Sequence, residues 1–201
     1  MIAVVDYGVG NLASVGRAFR RLSVECHLTQ DAEIVGEADL LVLPGVGHFG
    51  ESMTNLRERG LDAPIRRAVD RGARLLGICV GFQMLFEASE EAPGVSGLGL
   101  LEGEVRRFGP DLVAPHIGWN QLERIRGEGG LLEGVAEGDF FYFLHSYYAV
   151  PRGERAAWAW TEHGSRFCSV AGLGAVSGIQ FHPEKSQALG LRVLANFAGV
   201  R

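Results

Sequence analysis

A chain of 201 residues with 47% hydrophobic and 21% charged residues suits one sizeable α/β domain spanning residues 1–201. The net charge of −5, with no clustering of lysine and arginine, argues against nucleic acid as the main partner. No apolar run approaches the roughly 20 residues that cross a bilayer, and the opening MIAVVDYGVG lacks the basic start and long apolar stretch of a signal peptide, so no membrane association and a cytoplasmic location are expected.

Residues 2–6 form a short apolar run that ends in Tyr-Gly-Val-Gly, a buried strand entering a turn. From Asn11 the spacing predicts a helix, with Leu12, Val15, Phe19 and Leu22 on one face and arginines on the other. Residues 24–28 read as a second strand, and residues 39–47 (DLLVLPGVG) as a third with an abrupt Pro-Gly end. Residues 50–72 read as helix in two pieces, broken near Gly60 and Pro64, followed by a strand over 74–78 and a helix over 80–88. Buried strands alternating with glycine turns and amphipathic helices predict a doubly wound parallel sheet. Between 100 and 176 the segments shorten and alternate, with many aromatics (LEGEVRRF, FFYFLHSYYAV, AAWAW, FCSVAGLGAV), which predicts antiparallel strands. A buried strand over 177–181 and a helix over 186–200 close the chain. The expected fold is α/β, a doubly wound and mostly parallel sheet with added antiparallel strands.

Three cysteines without a C-x-x-C weigh against a disulfide framework and a structural zinc site, so neither metal nor cofactor is expected. Cys79 stands apart from the other two. It lies in Gly77-Ile78-Cys79-Val80-Gly81, the G-x-nucleophile-x-G form of a nucleophile elbow. Placed between a strand and a helix, its thiolate would be favoured by unpaired N–H groups and the helix dipole. The competing reading is an inert buried thiol, which is the expectation for Cys26 and Cys168. Among six histidines, His182 is best placed as the base, because it follows a buried strand and so shares the carboxyl edge of the sheet with Cys79. Glu184, two residues on in extended backbone, shares a face with it and would orient the ring. Val80 N–H is one oxyanion donor, and the turn at Gly45 and Val46 can supply another. His48 beside that turn reads equally as a cap, and the residues after His145 as acting through backbone.

PGVGHFGE, GICVGFQMLF and GIQFHPEKS, in this order, resemble the class I (triad) glutamine amidotransferases. PHIGWN (115–120) and FYFLHSY (141–147) narrow the resemblance to the glutaminase subunits of imidazole glycerol phosphate synthases, over essentially the whole chain. The resemblance implies that Cys79, His182 and Glu184 hydrolyse L-glutamine. It also implies that Gly47, Gln83, Glu91, Ser146 and Tyr147 hold the substrate. The implied partner is a (β/α)8-barrel cyclase that receives the ammonia in a heterodimer, with Asn11, His116, Trp119, Tyr142 and Lys185 at the interface and gate. The Gly45-Val46 peptide, able to turn either its carbonyl or its N–H inward, is the expected switch. Three rivals stand beside this reading. One is a glutaminase of another pathway with the same fold. Another is a non-catalytic scaffold subunit that has kept the fold, against which the intact Cys, His and Glu count. The third is a dinucleotide module, since GVGNLA (8–13) fits G-x-G-x-x-A and Asp31 follows about 20 residues on.

Overall fold

The computed structural model describes residues 1–123, 125–126 and 130–200. In chain order the first half holds β1 (Ile2–Val5), α1 (Leu12–Arg21), β2 (Cys26–Thr29), α2 (Ala32–Glu37), β3 (Leu40–Gly45), α3 (Phe49–Glu58), α4 (Asp62–Asp70), β4 (Arg74–Cys79) and α5 (Val80–Gln83). The second half holds β5 (Ala88–Ser89), β6 (Gly103–Arg107), β7 (His116–Gln121), β8 (Phe140–His145), β9 (Tyr147–Pro151), β10 (Ala157–Glu162), β11 (Arg166–Leu173), β12 (Val176–Ile179) and α6 (Gln187–Ala198). The main sheet runs β2-β1-β3-β4-β12-β11-β9-β6-β5, with β10 paired to β11. Its first five strands are parallel, and β12, β11, β9 and β6 then alternate antiparallel.

Burial explains the order. β1 and β12 are buried at every position, and β3 and β4 at all but their first. Such continuous apolar runs belong in a parallel sheet covered on both faces. Right-handed crossovers on either side of β1 send successive helices to opposite faces, and accordingly α1 meets α6 while α2 meets α4. α1 presents Val15, Ala18 and Phe19 to the core and keeps Arg20 and Arg21 in its last turn, at the negative end of its dipole.

Three elements depart from the sequence expectation. Pro64 does not break a helix. It sits in the first turn of α4, where an N–H has no intrahelical partner to lose. The helix expected over 80–88 is a single turn, because the loop at 97–101 takes the peptide groups a longer helix would use. Leu98 N–H donates to Met84 O at 2.7 Å and Leu100 N–H to Leu85 O at 2.8 Å. The aromatic run over 140–150 splits at Ser146. β8 pairs with β7 in a separate two-stranded ribbon, and β9 crosses into the main sheet. α2 and β7 lie where no element was expected. Among the described residues no helix is long and apolar enough to cross a membrane.

Candidate active site

Cys79 is the last residue of β4, opposite Gly45 in the β3 register. Its backbone has φ 55° and ψ −111°, a region costly for a residue with a Cβ, on the order of 1–3 kcal/mol. Close packing holds it there. A Cβ on Gly81 would collide with the Leu43 carbonyl oxygen, and one on Gly77 would stand 2.7 Å from Gly81 O. Only glycine on both sides lets the turn lie against β3 at backbone contact. On the other flank the Tyr7 hydroxyl donates to Pro44 O at 2.8 Å and fixes the end of β3. The elbow is therefore present, but α5 is too short for the full helix dipole expected to act on the sulfur.

β12 lies beside β4 in register Ile179 with Ile78, so the chain beyond it reaches the sulfur from the side. His182 caps a 3-10 turn, Pro183–Lys185. Its Nδ1 donates to Glu184 Oε1 at 3.0 Å, and the two side chains are 3% and 2% exposed. The i, i+2 pairing is thus made in a turn and not, as the sequence suggested, along extended backbone. Ser186 locks that turn: its hydroxyl donates to His182 O at 2.6 Å and accepts from Tyr142 N–H at 3.0 Å. With Nδ1–H committed to the carboxylate, Nε2 is the ring atom left to exchange a proton with the sulfur, and it is buried without a hydrogen-bond partner of ordinary geometry among the described residues. Burial alone would push the ring's pKa down. The Cys79 sulfur and the Glu184 carboxylate outweigh it and raise the pKa to about 10.

Cys79 and His182 line one cleft of roughly 200 Å³. That is below the roughly 300–1,000 Å³ of drug-sized sites and suits a small ligand. Val46, Gly47, Val80, Gln83, Glu91, Ser146 and Tyr147 line it too, so the expected substrate residues converge, with Gly45 just behind the sulfur. Glu91 Oε2 accepts the Phe49 N–H at 2.7 Å and ties the rim to the start of α3. His48 caps that helix, its Nδ1 accepting from Gly50 N–H at 3.0 Å.

Behind the rim runs a chain of hydrogen bonds whose direction is fixed by its ends. Tyr147 O is a carbonyl and only accepts, from Gln83 Nε2 and His145 Nδ1, both at 2.8 Å. His145 Nε2 is then the acceptor for His116 Nδ1–H at 3.2 Å, and His116 Nε2 accepts from Asn120 Nδ2 at 3.1 Å. Burial holds His145 down to about 3 and His116 to about 4, so both rings are neutral. His116, expected near the partner surface, is therefore a buried member of this cluster and only 4% exposed. Trp119 is 46% exposed and meets Tyr142 edge-on at 6.1 Å, with Lys185 Nζ 5.4 Å above the Tyr142 ring. Asn11 stands at the start of α1, beyond the carboxyl end of β1, and makes no side-chain cap bond. Cys168 is buried, which pushes its thiol up to about 12, and Cys26 is half-buried with its thiol also raised by burial. Sequence reasoning passed over Gln180, a fully buried amide beside the sulfur. The signal for it was a lone polar residue in an otherwise apolar buried run.

The fold and this cleft define a class-I glutamine amidotransferase, and residues 3–199 match the model of that family, glutamine amidotransferase class-I. A crystal structure titled as glutamine amidotransferase superposes with a TM-score of 0.77 at 25% identity, covering 99% of each chain. The structure of PurLQS from Thermotoga maritima, at 20% identity and a TM-score of 0.75 over 98% of this chain and 97% of its own, shares the fold. The imidazole glycerol phosphate synthase subunit HisH of Moorella thermoacetica is 48% identical over 98% of this chain and 93% of its own length. That of Aquifex aeolicus is 48% identical over 96% and 94%. The chain belongs to the family of HisH subunits of imidazole glycerol phosphate synthase. The dinucleotide reading falls with this. Asp31 spends its carboxylate capping α2, accepting from Glu33 and Ile34 N–H, and the Arg59 side chain covers the turn at Gly8.

Proposed function

We propose that the chain, acting as one domain, hydrolyses L-glutamine to glutamate and ammonia with Cys79 as nucleophile, His182 as base and Glu184 as its orienting carboxylate. The Cys79 sulfur attacks the side-chain amide carbon of glutamine while His182 Nε2 takes the thiol proton. The oxyanion that forms is met by Val80 N–H and by an N–H turned inward at Gly45-Val46. Collapse breaks the C–N bond, and the ring's proton leaves with ammonia. Water, deprotonated by the same ring, then attacks the thioester and releases glutamate and the thiol. Gly47, Gln83, Glu91, Ser146 and Tyr147 hold the amino acid in the cleft. The observation that carries this reading is the buried His182 Nε2, left without a hydrogen-bond partner of ordinary geometry among the described residues. Its other nitrogen is bonded to Glu184 at 3.0 Å, and the ring shares a cleft with a cysteine on a strained elbow.

Ammonia released into neutral water becomes ammonium, which is no nucleophile, so the product needs a closed passage. The partner is the cyclase subunit of the synthase, which makes imidazole glycerol phosphate and aminoimidazole carboxamide ribotide in histidine biosynthesis. We read it as a (β/α)8 barrel in a cytoplasmic heterodimer with no nucleic acid. Trp119, Tyr142 and Lys185 carry its contact and gate, with Asn11 at the margin. The outer face of the β7–β8 ribbon supports this, since it exposes Ile117 (58%), Trp119 (46%), Phe140 (49%) and Leu144 (37%) beside the cleft. The test is glutamate release by this chain together with a cyclase subunit. Cys79→Ser is expected to abolish turnover, and a Cys79→Ser protein that still hydrolyses glutamine would overturn the proposal.

A further inference from the structure

Gln180 has no part in the reaction as written, yet its side chain is wholly buried. A buried primary amide is costly unless its groups are paired. It follows Ile179, whose register partner is Ile78, so it lies level with Cys79 on the neighbouring strand path, and its own N–H is held by Ser169 O at 2.8 Å. The amide has two ends, and its surroundings decide which faces the sulfur. Gln83 Nε2 faces the Tyr147 carbonyl and must be the donor. The same nitrogen meets Gln180 at 3.1 Å, so the atom there is Oε1, and Gln180 Nε2 is turned to Cys79 Sγ at 3.7 Å. The thiol also donates to Leu144 O, likewise at 3.7 Å, and that bond is lost with the proton.

We infer that Gln180 is a further residue of the active site, one whose amide N–H binds the sulfur of Cys79 as thiolate and aims it into the cleft. The inference rests on Cys79 being the nucleophile. When the proton leaves for His182, the Leu144 contact vanishes and the Gln180 contact strengthens, because a hydrogen bond to an anion outweighs one to a neutral group. The Gln83 and Tyr147 bonds keep the amide from turning over, so the substrate wall and the nucleophile share one fixed element.

Among the described residues, the titratable groups around the sulfur are His182 and Glu184 on the 3-10 turn, Tyr7 beyond β1, Glu91 on the wall of the same cleft, and His145 on β8 beyond His182. All are retained in variants at position 180, so a change in the titration of Cys79 reports on the amide. The experiment follows iodoacetamide alkylation of the Cys79 peptide against pH in the full chain, for wild type, Gln180→Leu and Gln180→Glu. Gln180→Leu is expected to move the alkylation midpoint up by about one unit, with alkylation about 10-fold slower below the midpoint. Gln180→Glu, which keeps the shape and the acceptor for Gln83, is expected to move it further, by adding a like charge. In the wild type the side-chain amide resonances of Gln180 should titrate with the midpoint of Cys79. Variants that follow the wild-type curve would refute the inference, as would amide resonances that stay flat, and the resonances decide if neither variant folds. Labelling of Cys79 by a glutamine-like electrophile is scored separately. If that fails while the midpoints still move, the glutaminase reading falls and the Gln180 contact stands.

Discussion

Replacing Glu184 by glutamine removes one charge and leaves the shape. Nδ1 of His182 and Oε1 of Glu184 are 3.0 Å apart, and both side chains are almost wholly buried. The centres of the two charges are about 4 Å apart, so at an effective dielectric constant of about 20 their attraction is about 4 kcal/mol. Glutamine can still accept the Nδ1 hydrogen bond, so the loss falls on every state in which the ring carries the extra proton. A loss of about 3–4 kcal/mol there predicts turnover about 10²–10³-fold slower. Stability should change by less, because two effects oppose: the ring loses the charge partner that helps raise its pKa, while the second carboxylate oxygen, Oε2, buried without a hydrogen-bond partner among the described residues, is relieved of desolvation. The assay is glutamate formation with the cyclase subunit present, beside thermal unfolding of the same samples. Glu184→Gln with turnover within 5-fold of the parent at unchanged Tm would refute the orienting role.

Cys79 occupies a backbone region that suits glycine, so Cys79→Gly should be more stable than Cys79→Ala by about 1 kcal/mol, read as the difference in urea midpoints. Equal midpoints would mean that the elbow stores no strain. The raised pKa of His182 makes the folded chain bind a proton that the unfolded chain releases near 6.5. Its contribution to stability is full below pH 6.5 and fades as pH rises through about 10. A proton resonance of the ring should titrate near that upper value in the wild type and markedly lower in Cys79→Ala, and an unchanged midpoint would remove the sulfur as a cause. Ile117→Asp on the ribbon's outer face should weaken binding of the cyclase subunit by at least about 10-fold, with the circular dichroism spectrum unchanged. Unaltered affinity by titration calorimetry would place the contact elsewhere.

The parallel half of the sheet was legible because strands buried on both faces must be apolar throughout, and 2–6, 39–47 and 74–78 are close to that. The elbow was legible for a related reason: backbone packed against Leu43 O at 81 and against Gly81 O at 77 tolerates no Cβ, so glycine appears at both. What escaped was set by distant chain. α2 has six residues, too few for a period to emerge. The run over 80–86 looks helical, but the peptides at 98–101 claim its backbone groups. Alternation continues smoothly through FFYFLHSYYAV, while the partners of its two ends, β7 and β6, are a matter of tertiary pairing. The pairing of His182 with Glu184 was expected for the wrong backbone geometry, and His116, expected at the interface and gate, is held inside by hydrogen bonds to His145 and Asn120.

The break at Ser146 has a mechanical side. One unbroken piece of chain forms the outer ribbon up to His145, the lip of the cleft at Leu144–Tyr147, and then a rung of the main sheet. The far end is clamped by two neighbouring strands, and the near end has β7 on one edge and, at Tyr142, the His182–Ser186 turn on the other. Ile117 lies directly across the ribbon from Leu144, so whatever covers that outer face also sits on the back of the residue whose carbonyl stands 3.7 Å from the sulfur.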